Sequence, residues 1–148
     1  VYVGFVVGLA CSWIGTQIMG EFGPLVTLRV AVGSATAFLI GQLLDIGVFN
    51  RLRRSMAWWK APFVSTLFGS TVDTAIFFTI AFSAGLIWIE PANDVSWAAE
   101  QMPLLGFGPT VSFWVSLAVA DWLVKVAVDV IALVPFRLAV YRFAARIA

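Results

Sequence analysis

The sequence predicts an all-α fold, a polytopic bundle of transmembrane helices, and three observations carry that reading. Hydrophobic residues make up 61% of the 148 and charged residues 11%, against about 45–50% and about 25% in soluble domains. Mean hydropathy is +0.98. Four apolar runs approach or exceed the ~20 residues needed to cross a bilayer: Val1–Met19, Leu28–Phe49, Ala61–Ile89 and Val111–Val134. Only helices and closed barrels satisfy the backbone in hydrocarbon, and the short alternating segments of a barrel are absent.

The first run opens on Val1 with no basic segment or small-residue cleavage pattern before a polar start, so it reads as a span rather than a signal peptide, and as part of a longer protein. Within it Gly4, Gly8, Ser12, Thr16 and Gly20 recur every fourth residue, as do Gly33, Ala37 and Gly41 in the second run and Ser65 and Gly69 in the third. That spacing lets helix backbones approach closely and predicts a tight bundle, without specifying an oligomer. Arg51, Arg53, Arg54 and Lys60 fill the connection between the second and third runs, and Arg137, Arg142 and Arg146 the tail. The other connections carry Glu21, and then Glu90, Asp94 and Glu100. Basic loops stay cytoplasmic, so the tail is expected inside and the 90–110 loop outside. Trp58 and Trp59 would mark the inner interface, Trp88 and Trp114 the outer one. Residues 96–102, around Trp97, are read as part of a plain connector, and 136–148 as an interfacial helix after a break at Pro135. Arg29, at the outer end of the second run, is expected to snorkel to the headgroups.

The net charge of +1 gives no electrostatic footprint for nucleic acid. One cysteine, Cys11, allows no disulfide framework, and the absence of histidine removes imidazole metal ligands and His-based catalysis. No cofactor or metal is expected, and no enzymatic activity. Glycine-rich phosphate loops are missing. The contexts Leu-Leu-Asp45-Ile-Gly and Thr-Val-Asp73-Thr do not match intramembrane aspartyl proteases, and a rhomboid-type serine protease needs histidine.

The informative residues are the charges inside the spans. Asp121, Lys125 and Asp129 lie at i, i+4, i+8 on one helical stripe. Each such charge costs roughly 2.5–3.5 kcal/mol at a span centre, which makes it by default a pointer to a substrate or ion path. Asp73 sits mid-span in the third run, and Gln42, Asp45 and Asn50 in the inner half of the second. Four embedded aspartates face one lysine, so full ionisation leaves the interior at net −3. The excess must be protonated, hydrated in a cavity or balanced by a bound ligand. Proton coupling and a ligand rich in N–H donors both follow as expectations. For each residue a structural reading competes: a self-neutralising pair for Asp121 and Lys125, an interhelical bridge for Asp73, an interfacial carboxylate for Asp45. Trp13 and Trp122 read as core packing.

Three stretches carry a resemblance: Gly41-Gln-Leu-Leu-Asp-Ile-Gly-Val-Phe-Asn-Arg-Leu-Arg53, Trp58-Trp-Lys-Ala-Pro-Phe-Val-Ser-Thr-Leu-Phe-Gly-Ser-Thr-Val-Asp-Thr74 with Ile76-Phe-Phe78, and Asp121-Trp-Leu-Val-Lys125 followed by Pro135. The chain resembles the queuosine-precursor transporter family, of the vitamin-uptake-transporter type, from about Arg29 to Pro135. The resemblance implies a bacterial inner-membrane importer of about six helices, two of them upstream of Val1. It would carry 7-deazaguanines such as 7-cyano-7-deazaguanine into the cytoplasm for tRNA modification. It assigns substrate binding to Gln42, Asp45, Asn50, Ser65, Asp73, Asp121 and Lys125, and leaves Asp129 outside the pattern. A carboxylate suits the adjacent N1–H and exocyclic amine of a deazaguanine, and Phe77, Phe78 or Trp122 would supply a stacking face. The expected partners are a nucleobase-like small molecule and lipid, with a homo-oligomer left open. The alternatives are a substrate-capturing subunit of an energy-coupling-factor importer with an ATPase module, which is less favoured, and a structural membrane subunit.

Overall fold

The computed structural model describes residues 1–21, 23–54 and 59–144, with the side chains of 134 and 136–144 outside the description. The expectations for Trp58 and Arg146 therefore fall outside the described residues, as do those for the side chains of Arg137 and Arg142. Four helices stand where four spans were expected: α1 (Tyr2–Gln17), α2 (Leu28–Leu52), α3 (Lys60–Phe82) and α4 (Phe113–Ala144). Among the described residues, α2 and α3 are long and apolar enough to cross a membrane. At about 1.5 Å per residue, α1 falls short of the ~30 Å hydrocarbon layer, while α4 exceeds it and carries the charged stripe. The large outward side chains, such as Val3, Phe68, Leu123 and Ile131, are apolar. The small and polar ones, such as Ala37, Ser65 and Thr74, are buried, as expected of a helical protein whose solvent is lipid.

Each helix boundary has a local cause. Thr27 caps α2, its hydroxyl accepting from the Val30 amide at 3.4 Å. Pro62 sits in the first turn of α3, where its missing N–H has no intrahelical partner to lose. Pro135 lies within α4, so the expected break there is not made. The ring removes the usual bond to the Ile131 carbonyl, a loss that buried helices in membranes accommodate locally.

The α2–α3 pair is the densest contact, with α4 packed on α3 and α1 on α2. Its seam is built from glycine. A Cβ at Gly41 would stand 3.1 Å from Asp73 Cβ and 3.3 Å from the Gly69 carbonyl. A Cβ at Gly69 would stand 3.2 Å from both Asp45 Cβ and the Gly41 carbonyl. The four-residue spacing thus does bring the backbones of α2 and α3 together, but α1 behaves differently. Nothing lies within 4 Å of a Cβ built on Gly8, and Gly4, Gly8 and Ser12 open onto a cavity. No residue of α1 is buried. Trp13 is 62% exposed, so the core packing expected of it is not found; α1 rests mainly on α2 and on the strand that precedes α2.

Arg29 departs most from expectation. It does not snorkel outward; it is fully buried. Its Nε donates to the Ile80 carbonyl at 3.0 Å and its Nη2 to the Ser83 carbonyl at 2.6 Å. Its backbone amide donates to Glu90 Oε2 at 3.2 Å. The last carbonyls of α3 have no partners within their own helix and carry the negative end of its dipole, so a guanidinium fits there. This ends α3 at Phe82 and makes residues 84–89, expected to continue the third span, a separate 3-10 turn.

The connector between α3 and α4 is structured rather than plain. Beside that turn it holds shorter ones at Ser96–Ala99 and Leu104–Gly106. Before it, β1 (Met19–Gly20) and β2 (Gly23–Pro24) pair between α1 and α2; within it, β3 (Gln101–Pro103) pairs antiparallel with β4 (Thr110–Ser112). Asp94 accepts from the Ser96 amide at 2.9 Å, a bond that holds its carboxyl below the ordinary carboxylate range. A run of edge-to-face rings, Phe82–Trp97 at 5.5 Å and Trp97–Phe113 at 5.9 Å, fastens this cap to the ends of α3 and α4.

Replacing Arg29 by Met should cost about 2–3 kcal/mol, because two charge-assisted bonds vanish and the Ile80 carbonyl loses its donor, while the Ser83 carbonyl keeps the Leu86 amide. Thermal unfolding in detergent reads the loss. Gly69→Val should cost about 1–3 kcal/mol by forcing α2 and α3 apart, whereas Gly8→Ala should leave the same midpoint unchanged.

Candidate functional site

Charged side chains of α3 and α4 converge on Lys125. Its Nζ lies 2.7 Å from Asp73 Oδ2 on α3 and 2.6 Å from Asp121 Oδ2, one turn earlier on α4. The ammonium also donates to Thr74 Oγ1 at 3.1 Å, and the Thr74 hydroxyl donates to Asp121 Oδ2 at 2.9 Å. Lys125 therefore bridges two helices rather than neutralising only its own stripe. The helix-internal pair and the interhelical bridge, separate readings of the sequence, are one cluster. Each of the three charged side chains is about a third exposed, which places the cluster at a cavity wall rather than in a sealed core.

Two cavities flank it. One, of about 410 Å³, lies between α1, α2, α3 and α4 and is lined by Gly8, Ser34, Phe5, Phe77 and Asp121 among others. The second, of about 380 Å³, lies toward the end of the bundle that carries Arg51 and Lys60, and is lined by Gln42, Asp45, Thr66, Ser70 and Asp129 among others. Phe38, Asp73 and Lys125 line both. We call these the upper and lower cavities. Both volumes fall within the roughly 300–1,000 Å³ of small-molecule pockets.

Of the residues singled out in the sequence, the structure brings Gln42, Asp45, Asp73, Asp121 and Lys125 to this pair of cavities. Asn50 and Ser65 line neither. Asn50 is exposed at the end of α2. Ser65 is 2% exposed and donates to the Pro62 carbonyl of its own helix at 3.0 Å, so its place is in the α2–α3 packing. Asp129, which lay outside the family pattern, lines the lower cavity. Trp122 lines neither cavity; its indole N–H donates to Thr71 Oγ1 at 2.9 Å and ties α4 to α3. Phe78 is buried among rings. Of the proposed stacking faces, Phe77 lines one of these two cavities, and Phe78 and Trp122 line neither. Sequence reasoning missed Thr74, Phe5 and Phe38. Thr74 could have been suspected from its position beside Asp73, but its bridging role depends on α4.

A scan against protein families matches residues 2–140 to the model described as "Putative vitamin uptake transporter". The chain belongs to this family of membrane transporters. It is 37% identical over 124 residues, 84% of the chain, to the "Queuosine precursor transporter" of Escherichia coli strain K12. It is 39% identical over 111 residues, 75% of the chain, to the "Probable queuosine precursor transporter" of Haemophilus influenzae strain ATCC 51907 / DSM 11121 / KW20 / Rd. The matches cover 47% and 39% of those relatives, so the chain spans less than half the length of either. No solved structure matches.

Lys125→Met should destabilise the fold by about 1–3 kcal/mol, less than a sealed ion pair would cost because water reaches the cluster. Adding Asp73→Asn to it should recover part of that loss, since a carboxylate without its cation is removed. A double-mutant cycle on thermal midpoints measures the coupling.

Proposed function

We propose that the chain forms the substrate path of an importer for queuosine precursors, 7-deazaguanines such as 7-cyano-7-deazaguanine, across the bacterial inner membrane. The observation that carries this reading is the placement of two aspartates and a lysine, on two helices, at the wall of an aromatic-lined cavity. Lys125 and Thr74 engage the Oδ2 atoms. Oδ1 of Asp73 and of Asp121 has no hydrogen-bond partner among the described residues, which leaves an acceptor on each carboxylate for the N1–H and exocyclic amine of the base. The Lys125 ammonium, its three N–H donors taken by Asp73, Asp121 and Thr74, holds the two carboxylates in place. Phe5, Phe38 and Phe77 offer apolar faces around the same space, and stacking contributes about 1–3 kcal/mol per base in other nucleobase sites.

In this reading all four helices cross the membrane, with Arg51, Arg53, Arg54 and the C-terminus in the cytoplasm. The lower cavity then faces the interior of the cell and the upper cavity the exterior. Transport is secondary and proton-linked, because the interior holds more carboxylates than cations.

In cells that depend on this protein for the labelled cyano precursor, Asp73→Asn and Asp121→Asn should each lower uptake about tenfold or more, the loss of one charge-assisted contact. Uptake at the parent rate in both variants overturns the assignment. A protonophore should abolish uptake by the parent.

A further inference from the structure

The charged residues fall into two tiers related by the glycine crossing. Gly41 and Gly69 face each other where α2 and α3 meet. Asp73 is one turn beyond Gly69 and packs over Gly41; Asp45 is one turn beyond Gly41 and packs over Gly69. Because the helices run in opposite directions, the two aspartates lie on opposite sides of the crossing along the same seam. On α4, Asp121 and Asp129 lie one turn either side of Lys125. The upper tier is therefore Asp73 with Asp121, the lower tier Asp45 with Asp129, and Lys125 stands between them.

The upper tier holds the ammonium. The lower tier has no lysine or arginine paired with it among the described residues, and its two carboxylates share the wall of the lower cavity. Asp45 Oδ1 is a buried acceptor with no hydrogen bond, a state that costs about 1–3 kcal/mol when left unrelieved. Lys125 is also a wall of the lower cavity, and its four-carbon stem rotates freely enough to reach a carboxylate on either side of its own turn.

We propose that Asp45 and Asp129 form a second berth for the Lys125 ammonium, and that Lys125 moves between the tiers as substrate passes. This rests on the substrate site proposed above. When the N–H donors of a bound base engage Asp73 and Asp121, they displace Lys125 from both. The ammonium then pairs with Asp45 and Asp129. The move withdraws one of the three side chains that line both cavities, the others being Phe38 and Asp73, and joins the cavities into one passage. When the base leaves, Lys125 returns to Asp73 and Asp121 and divides the passage again. Asp45 and Asp129 act through Lys125 and are positioning residues; no covalent step is involved.

The test measures binding and import separately on the full protein in liposomes, with 7-cyano-7-deazaguanine as the probe. Lysine labelled with ¹⁵N reports the ammonium, and the signal lost in Lys125→Arg identifies that of Lys125. In the parent, the probe should shift that signal. The double variant Asp45→Asn with Asp129→Asn should bind the probe within about threefold of the parent, import it about tenfold more slowly or worse, and lose the probe-induced shift. Glu at both positions should restore part of the import, which a general folding defect would not allow. Parent-level import by the Asn double variant overturns the proposal, as does a Lys125 signal that the probe does not move in the parent. Binding lost together with import makes Asp45 and Asp129 direct ligands or packing residues and also overturns it. A parent that fails to bind the probe at all overturns the substrate assignment itself, and is recognised by that result alone.

Discussion

Carboxylates placed among apolar helices must be answered by a cation, and in this chain Lys125 answers two of them. The constraint is severe because the surrounding medium screens little and offers few donors. It explains why α3 and α4, which share little other polar contact, are joined at Asp73, Thr74, Asp121 and Lys125. It also explains why the cluster is only partly buried. Three charges sealed from water would carry a desolvation cost that their mutual attraction need not offset, whereas a cavity wall gives them water or ligand as a fourth partner.

The cluster depends in turn on backbone packing. Asp73 can lie over α2 because Gly41 has no side chain, and Asp45 can lie over α3 because Gly69 has none. Two absent Cβ atoms set the helix separation, and that separation decides which side chains face the cavities. At the end of the bundle where α2 begins, Arg29 holds the α3 terminus against the start of α2. The bundle is thus fastened by a guanidinium at one end and a glycine crossing near its middle, with the titratable cluster beside the crossing.

How much could be read in advance varies by residue. The apolar runs were legible because hydrocarbon solvent demands a length and a composition that few other constraints imitate. Asp121 and Lys125 were legible because helical periodicity places them on one stripe whatever the neighbours. Trp13 and Arg29 were not. A tryptophan in an apolar run is buried or exposed according to whether a second helix covers it. An arginine at a span end snorkels outward or turns inward according to whether unpaired carbonyls lie within reach. Ser65 and Thr74 exchanged importance for a similar reason. Both are small and hydroxylated on α3, but they face different neighbours. The connector between α3 and α4 was read as plain because its 3-10 turns and short ribbon have no periodicity long enough to register.

Taken alone, the sequence determined the solvent, the helical class, the family and the identities of the charged residues, since each of these follows from composition, periodicity or motif within a single segment. The tertiary structure decided which charges share a partner. It joined Lys125 to Asp73 across two helices, set Asp45 and Asp129 around a second cavity, and sent Asn50 and Ser65 elsewhere. Pairing between segments depends on helix separation and rotation. Those are set by contacts such as Gly41 on Gly69, which no single stretch of sequence contains.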